Sequence, residues 1–213
     1  MIIKTAQTLL LMIFLCKSLV YAHDEFEPLA SPESFKEQLQ EISKQTKTIA
    51  SDFIQERHIS MMTQAIVSEG YFRFKRPASV RWTYTKPYEQ TIVMVRHRIY
   101  VSSDDKTSSY DAQANQTFSA LGDVMFRFIL GDLNAAENDY LIAYYESPTR
   151  YFVKLRPKGN DNPYAGAINL YFDKKDLSLS KIIMYDSDED FTSISFINRK
   201  INERIANDEF KID

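Results

Sequence analysis

The chain has 213 residues, 44% of them hydrophobic and 26% charged, a balance that supplies a real core and excludes disorder as the default state. Its formal net charge is −3, with 26 basic and 29 acidic residues and no long basic run, which argues against nucleic acid as a partner. The one cysteine, Cys16, lies near the N-terminus, so the rest of the chain must hold together by burial, without disulfides or a thiolate metal site.

Lys4, the apolar run from Leu9 to Leu15 and then Val20-Tyr21-Ala22 make the pattern of a secretory signal peptide cleaved after Ala22. Lys17 interrupts the apolar stretch short of the roughly 20 residues that a spanning helix needs. Leu15, not a small residue, precedes Cys16, which weakens a reading as a lipid-attachment site. Residues 1–22 are therefore expected to leave, and 23–213 to form one domain with 24 basic against 29 acidic residues.

Residues 23–31 read as a short, mobile lead-in rich in acid and proline. Ser31-Pro32-Glu33 then offers an N-cap, a proline at the first helical position and an acid in the first turn, the signature of a helix start. Phe35, Leu39 and Ile42 recur at helical spacing, so this helix should lay one apolar stripe across another layer.

From about Ile49 the period changes to two and stays there, predicting strands at 49–59, 64–75, 79–85, 90–95, 98–103, 107–112, 140–147, 150–156, 166–173, 178–186, 190–199 and 208–212. Short turns such as Arg76-Pro77, Lys86-Pro87 and Asp173-Lys174-Lys175-Asp176 make most neighbours antiparallel hairpins. The fold class is mainly β with a few helices, and a sheet of this size must curl, split or close. Gly70 falls inside a strand pattern, which marks a bend or a close approach to the backbone.

A second helical segment runs from about Gly122 to Gly131. Leu121, Val124, Met125, Phe128 and Ile129 form an apolar stripe that Phe126 and Leu130 widen, leaving only Asp123 and Arg127 as a polar edge. Such a helix is either a core helix or has a second apolar partner that is sometimes absent. The strand faces pose the same choice: Phe72 and Phe74 share one face, Val80, Trp82 and Tyr84 another, and either set makes a dry core or lines a pocket.

Catalytic constellations are thin. His23, His58 and His97 are far apart and show no metal-ligand spacing, so neither a zinc site nor any other cofactor is expected. Asp186-Ser187-Asp188-Glu189-Asp190 lacks the glycine and distant glutamate of a calcium loop and reads as a solvated turn, as does Asp104-Asp105. Arg96-His97-Arg98 is a basic cluster at a hairpin, open to an anionic partner or simply solvated. No nucleophile-elbow, P-loop or dinucleotide glycine pattern occurs, which shifts the weight from catalysis toward binding.

The stretch from Gly70 to Pro77, G-Y-F-R-F-K-R-P, followed by Arg81-Trp82-Thr83-Tyr84 and then Pro87 and Gln90, resembles the hallmark block of the LolA family of periplasmic lipoprotein carriers. Phe53-Ile54-Gln55, Ile194-Ser195-Phe196 and Phe210 are similar to flanking positions of that family. The resemblance implies an incomplete, strongly bent antiparallel β-barrel of about eleven strands with a helical lid. It implies a ligand-binding inner face that includes Phe53, Phe72, Phe74, Trp82 and Tyr84, with Met125, Phe126, Phe128 and Ile129 on the lid, and Arg76 holding the empty lid closed. The function it implies is periplasmic and non-catalytic: a monomer that takes acylated lipoproteins from an inner-membrane lipoprotein-releasing ABC transporter and passes them to an outer-membrane acceptor. The family pattern has an Asp-Gly turn where this chain has Arg96-His97-Arg98, which leaves the docking partners and cargo open. A carrier or sensor for another envelope lipid or glycolipid, a secreted hydrolase and a purely structural interaction domain are the other readings.

Overall fold

The computed structural model describes residues 25–96, 98–103, 106–111, 128–131, 133–159 and 166–212. In chain order these form β1 (Glu27–Pro28), α1 (Pro32–Gln45), β2 (Thr48–His58), β3 (Ile66–Lys75), β4 (Ser79–Lys86), β5 (Gln90–Val95), β6 (Arg98–Ser103) and β7 (Lys106–Asp111). After these come β8 (Tyr140–Glu146), β9 (Arg150–Pro157), β10 (Ile168–Asp173), β11 (Leu179–Tyr185) and β12 (Phe191–Ile201). Short 3-10 turns occupy Asn134–Asn138 and Asn207–Phe210.

All described strands join one antiparallel sheet in the order β1-β8-β9-β10-β11-β12-β2-β3-β4-β5-β6-β7. Two meanders, β2 to β7 and β8 to β12, are zipped together where β12 pairs with β2 from Phe191 opposite His58 to Ile201 opposite Ile49. The sheet stays open, with β1 and β7 at its ends, yet it curls strongly enough that Phe72 of β3 and Phe172 of β10 line one cavity. Mainly antiparallel β is therefore the fold class that the alternation of residues predicts, and the open, curled sheet agrees with the incomplete barrel that the family resemblance implies. Among the described residues there are eleven strands of working length, and the two-residue β1 makes twelve.

The concave face collects the even residues of β3 and β4, Phe72, Phe74, Val80 and Trp82, all at most 4% exposed; the two sets expected on separate faces share one, because Phe72 pairs opposite Trp82 and Phe74 opposite Val80. From the other meander come Val153, Leu155, Leu170, Phe172 and Ile182, all at most 2% exposed, and helix α1 lies across this face through Phe35 and Leu39. Gly70 is a site of close approach, as its place in the strand predicts. A β-carbon there would stand 1.9 Å from the Thr83 carbonyl oxygen and 2.7 Å from Phe53 Cζ, beside a bulge that offsets β3 from β4.

Three expectations need correction. Residues 208–212 are not a strand, because Arg81 Nη1 donates to the carbonyls of Glu209 and Lys211 and holds the turn Asn207–Phe210 against β4 and β5 with no sheet edge beside it. The lead-in is not free: Glu27 and Pro28 pair with Glu146 and Tyr145, and the Phe26 ring packs 5.3 Å from Phe152 and 5.9 Å from Tyr171. Ser31 stands at the N-cap of α1, but its side chain makes no capping hydrogen bond; Pro32, which lacks an N–H, already lowers the number of donors to be satisfied.

Candidate functional site

The apolar face of α1 is held over the sheet by contacts of two kinds. Phe35 inserts among aromatic rings, 4.4 Å from Tyr151, 5.8 Å from Phe172 and 6.2 Å from Tyr144, and Leu39 is 2% exposed. Polar contacts then fix two points of the helix. Lys36 Nζ donates to Glu137 Oε1 at 2.8 Å in the turn Asn134–Asn138 and meets Glu33 at the same distance, and these two partners raise the lysine above its ordinary pKa.

At the other end, Arg76 Nη2 donates to the Ser43 carbonyl at 2.5 Å and Nε to the Thr46 carbonyl at 2.7 Å. These are carbonyls at the C-terminus of a helix, where partial negative charge collects; that of Ser43 also accepts the Thr46 N–H at 3.2 Å. The backbone N–H of Arg76 also donates to the Lys47 carbonyl at 2.9 Å, so the turn after β3 is docked on the helix end by main chain and side chain together.

Between α1 and the sheet lies a cavity of about 210 Å³. Leu39 and Ile42 of α1 roof it together with Ile129 and Leu130. Its floor comes from Ile49 of β2, Phe72 of β3, Phe172 of β10 and Phe196 of β12, and its far wall from Leu177 and Leu179. Among the described residues, the polar side chains in its lining are those of Ser43, Thr46, Ser51, Asp176, Ser178 and Arg199. An apolar cavity of ~150 Å³ stays dry and accepts a benzene-sized guest, so this one has room for part of an alkyl chain even with the roof in place.

The structure distributes the sequence-predicted residues in two groups. Phe72 and Ile129 line the cavity. Phe53, Trp82, Phe72 and Tyr84 pack with one another beside it: Phe53 stacks on Trp82 at 4.3 Å and meets Tyr84 at 5.3 Å, and Trp82 lies 5.5 Å from Phe72. Phe74 is 1% and Phe128 3% exposed, the latter edge-on to Tyr140 at 6.2 Å. Met125 and Phe126 lie outside the described residues, as does most of the second helical segment. Its end is seen at Gly131, where φ is +73° and a β-carbon would strike Leu39 of α1.

Tyr84 Oη donates to Gln55 Oε1 at 3.0 Å, and burial pushes its phenol above the ordinary value. Nothing in this cluster pairs an acid with a base. His58 stacks on Phe191 at 4.3 Å, while His23, His97, Asp104 and Asp105 lie outside the described residues. The acidic run closes on itself as a hairpin turn, with Asp186 and Ser187 N–H donating to the Asp190 carbonyl. No metal-binding group of acids and histidines occurs among the described residues, and no described helix is long and apolar enough to cross a membrane.

Sequence reading missed Phe172, Leu177, Leu179 and Arg199 as cavity residues. Alternation in Ile168-Asn169-Leu170-Tyr171-Phe172 points Phe172 to the core side, but no local signal tells that β10 to β12 come to lie beneath α1.

Comparison with known proteins agrees with this geometry. The family of outer membrane lipoprotein carrier protein LolA matches residues 44–213. The outer-membrane lipoprotein carrier protein of Methylobacillus flagellatus is 29% identical over 67% of this chain and 67% of its own length. That of Neisseria meningitidis serogroup B is 27% identical over 81% and 80%. Among solved structures, an uncharacterized conserved protein from Thermus thermophilus superposes with a TM-score of 0.56 at 11% identity, over 85% of this chain and 94% of that one. MucB superposes at 0.54 with 16% identity, over 88% of this chain and 65% of MucB; both likenesses concern the fold alone.

Proposed function

Since this chain belongs to the LolA family, a family of carriers and not of enzymes, we propose that it is a periplasmic carrier that shelters the acyl chains of lipoproteins between α1 and the concave sheet. The observation that supports this most directly is the apolar cavity under a helix whose polar attachments are few. Each methylene moved from water into such a space gains ~0.8 kcal/mol. A full acyl chain exceeds the space available, so cargo must exchange its contacts for those that α1 and residues 129–131 make with the floor. That exchange keeps loading and unloading near balance instead of making release into water impossible.

In this reading Arg76 is the latch of the empty form, because its two bonds to the helix end are made only while α1 lies down. Met125, Phe126 and Phe128 belong with Ile129 to the movable roof, and Phe53, Trp82, Tyr84 and Phe74 form the surface uncovered when it lifts. Cargo would come from an inner-membrane lipoprotein-releasing ABC transporter and go to an outer-membrane acceptor, with residues 1–22 removed on export. The carrier would act as a monomer.

Native mass spectrometry of the protein purified from periplasm tests the proposal. A bound lipopeptide is expected. A free lipid or glycolipid in its place would move the assignment to another envelope lipid, and an empty protein that neither takes up lipopeptide nor protects it from water would overturn it.

A further inference from the structure

The cavity has one cationic side chain in its wall, and a local distortion of the chain puts it there. Along β12, Thr192, Ile194 and Phe196 pair within the concave face, and strict alternation would place Asn198 and then Lys200 there and turn Arg199 outward. The register shifts between Ile197 and Lys200. Asn198 adopts φ +53°, a left-handed conformation that asparagine tolerates better than most residues, and its Nδ2 donates to Asp52 Oδ2 at 2.9 Å. Ser51 Oγ donates to the Ile197 carbonyl at 2.8 Å, which braces the same point from β2. The extra residue turns Arg199 inward, and Ile201 returns to register opposite Ile49. Bulges of this kind re-aim a side chain near a site.

Inside, Arg199 donates from Nη1 to the Phe196 carbonyl at 3.1 Å and pairs through Nη2 with Asp173. A guanidinium has five N–H donors, so three remain without a partner among the described residues. The side chain is 19% exposed, and burial lowers its pKa from the usual arginine value. We infer that Arg199 is the polar anchor of the cavity: it takes the ester or amide carbonyl oxygen at the head of an acyl chain whose tail lies along Phe72, Phe172 and Phe196. Charge favours a neutral acceptor over an anion, because Asp173 already neutralises Arg199 and Asp176 also lines the wall. A phosphate or free carboxylate would meet two carboxylates there; an ester oxygen needs only a donor. This inference rests on the carrier reading and names the chemistry that its cavity selects.

The test is displacement of an environment-sensitive hydrophobic dye from the purified protein by methyl laurate, laurate and dodecane. Methyl laurate is expected to bind at least about tenfold more tightly than dodecane, the worth of one charge-assisted hydrogen bond, and no less tightly than laurate. Arg199→Leu should abolish the difference between ester and dodecane, and Arg199→Lys should restore part of it. If Arg199→Leu does not fold, Asp173→Asn decides, since a freed guanidinium should hold laurate more tightly than wild type does. Equal binding of ester and alkane, an ester preference that survives Arg199→Leu, or a tenfold preference for laurate in wild type would overturn the anchor and leave the carrier standing. Failure of all three ligands and of a diacylated lipopeptide to displace the dye would overturn the carrier reading, and the anchor with it.

Discussion

Arg76 grips α1 at its C-terminal end, its guanidinium 2.5 Å from the Ser43 carbonyl and 2.7 Å from that of Thr46. The contact joins the turn after β3 to the one long helix among the described residues, and it adds donors at the helix end, where the Ser43 carbonyl already accepts the Thr46 N–H at 3.2 Å. Under the carrier reading both bonds would break if α1 lifted, so they would bias the helix toward the closed position from the edge of the cavity, at Ser43 and Thr46.

Arg76→Leu should therefore favour the raised helix by about 1–2 kcal/mol, a factor of roughly 5–30 in the closed-to-open ratio. The expected outcome is a variant that loads lipopeptide as well as wild type but hands it to an acceptor several times more slowly, because the closed empty state no longer drives release. A transfer assay between carrier and acceptor measures this, and an unchanged transfer rate would remove the latch from the mechanism.

Gly70 leaves no space for even one added carbon. The Thr83 carbonyl and the Phe53 ring crowd the position from two sides, and the carbonyl cannot turn away without breaking the β3–β4 ladder. Gly70→Ala should cost at least about 2 kcal/mol, at the upper part of the range for overpacked cores. The midpoint of urea unfolding should fall with little change in slope.

The sheet was legible because its strands alternate over long runs and their turns are chemically marked. From β2 to β6 and from β8 to β12 the expected ends fall within about two residues of those observed. Helix α1 was legible from Ser31-Pro32-Glu33 and the Phe35, Leu39, Ile42 stripe. What local pattern could not show is closure: β12 meets β2 across more than 130 residues of chain, and only that pairing brings Phe172, Phe196 and Arg199 under the helix. Arg199 was doubly hidden, since alternation assigns its place on the concave face to Lys200 until the bulge at Asn198 is seen. The aromatic cluster of Phe53 and Trp82 lies on the concave face, but the vacant space lies beside it. Ring stacking at 4.3 Å fills the volume there, whereas aliphatic side chains and a short roof leave room at β10 to β12.

Alkaline pH should unfold the protein in a defined window. Burial pushes Tyr144 up to about 12, with the Lys36 ammonium acting in the opposite direction, while the unfolded phenol titrates near 10. Above the unfolded value the unfolded state binds fewer protons, so stability is fully present below about pH 10 and is lost as pH rises toward 12. Burial raises Tyr84 and Tyr171 as well, and both add to the same fall. Tyr144→Phe should flatten the loss, and it should not lower stability at neutral pH, because the Tyr144 hydroxyl is buried with no hydrogen-bond partner among the described residues. Urea titrations of both proteins at pH 8, 10 and 11 would show the difference, and parallel curves would refute it.

Phe210 provides a control that separates stability from binding. The turn Asn207–Phe210 lies on the convex face against β4 and β5, where Val93 is fully covered and Phe210 only 7% exposed. Arg81 holds the carbonyls on either side of Phe210, and Lys75 Nζ donates to the Ile205 carbonyl and Asn207 Oδ1. This small apolar contact is separated from the cavity by the thickness of the sheet. Phe210→Ala should cost about 3 kcal/mol, as truncation of a buried phenylalanine does, and lower the melting temperature by several degrees. Acyl-ligand affinity measured well below that temperature should stay within about twofold of wild type, because the turn packs on β4 and β5, and neither strand contributes to the cavity lining. A large loss of affinity in a folded Phe210→Ala protein would mean that the two faces are coupled through β4, and that the cavity's shape depends on the C-terminal turn.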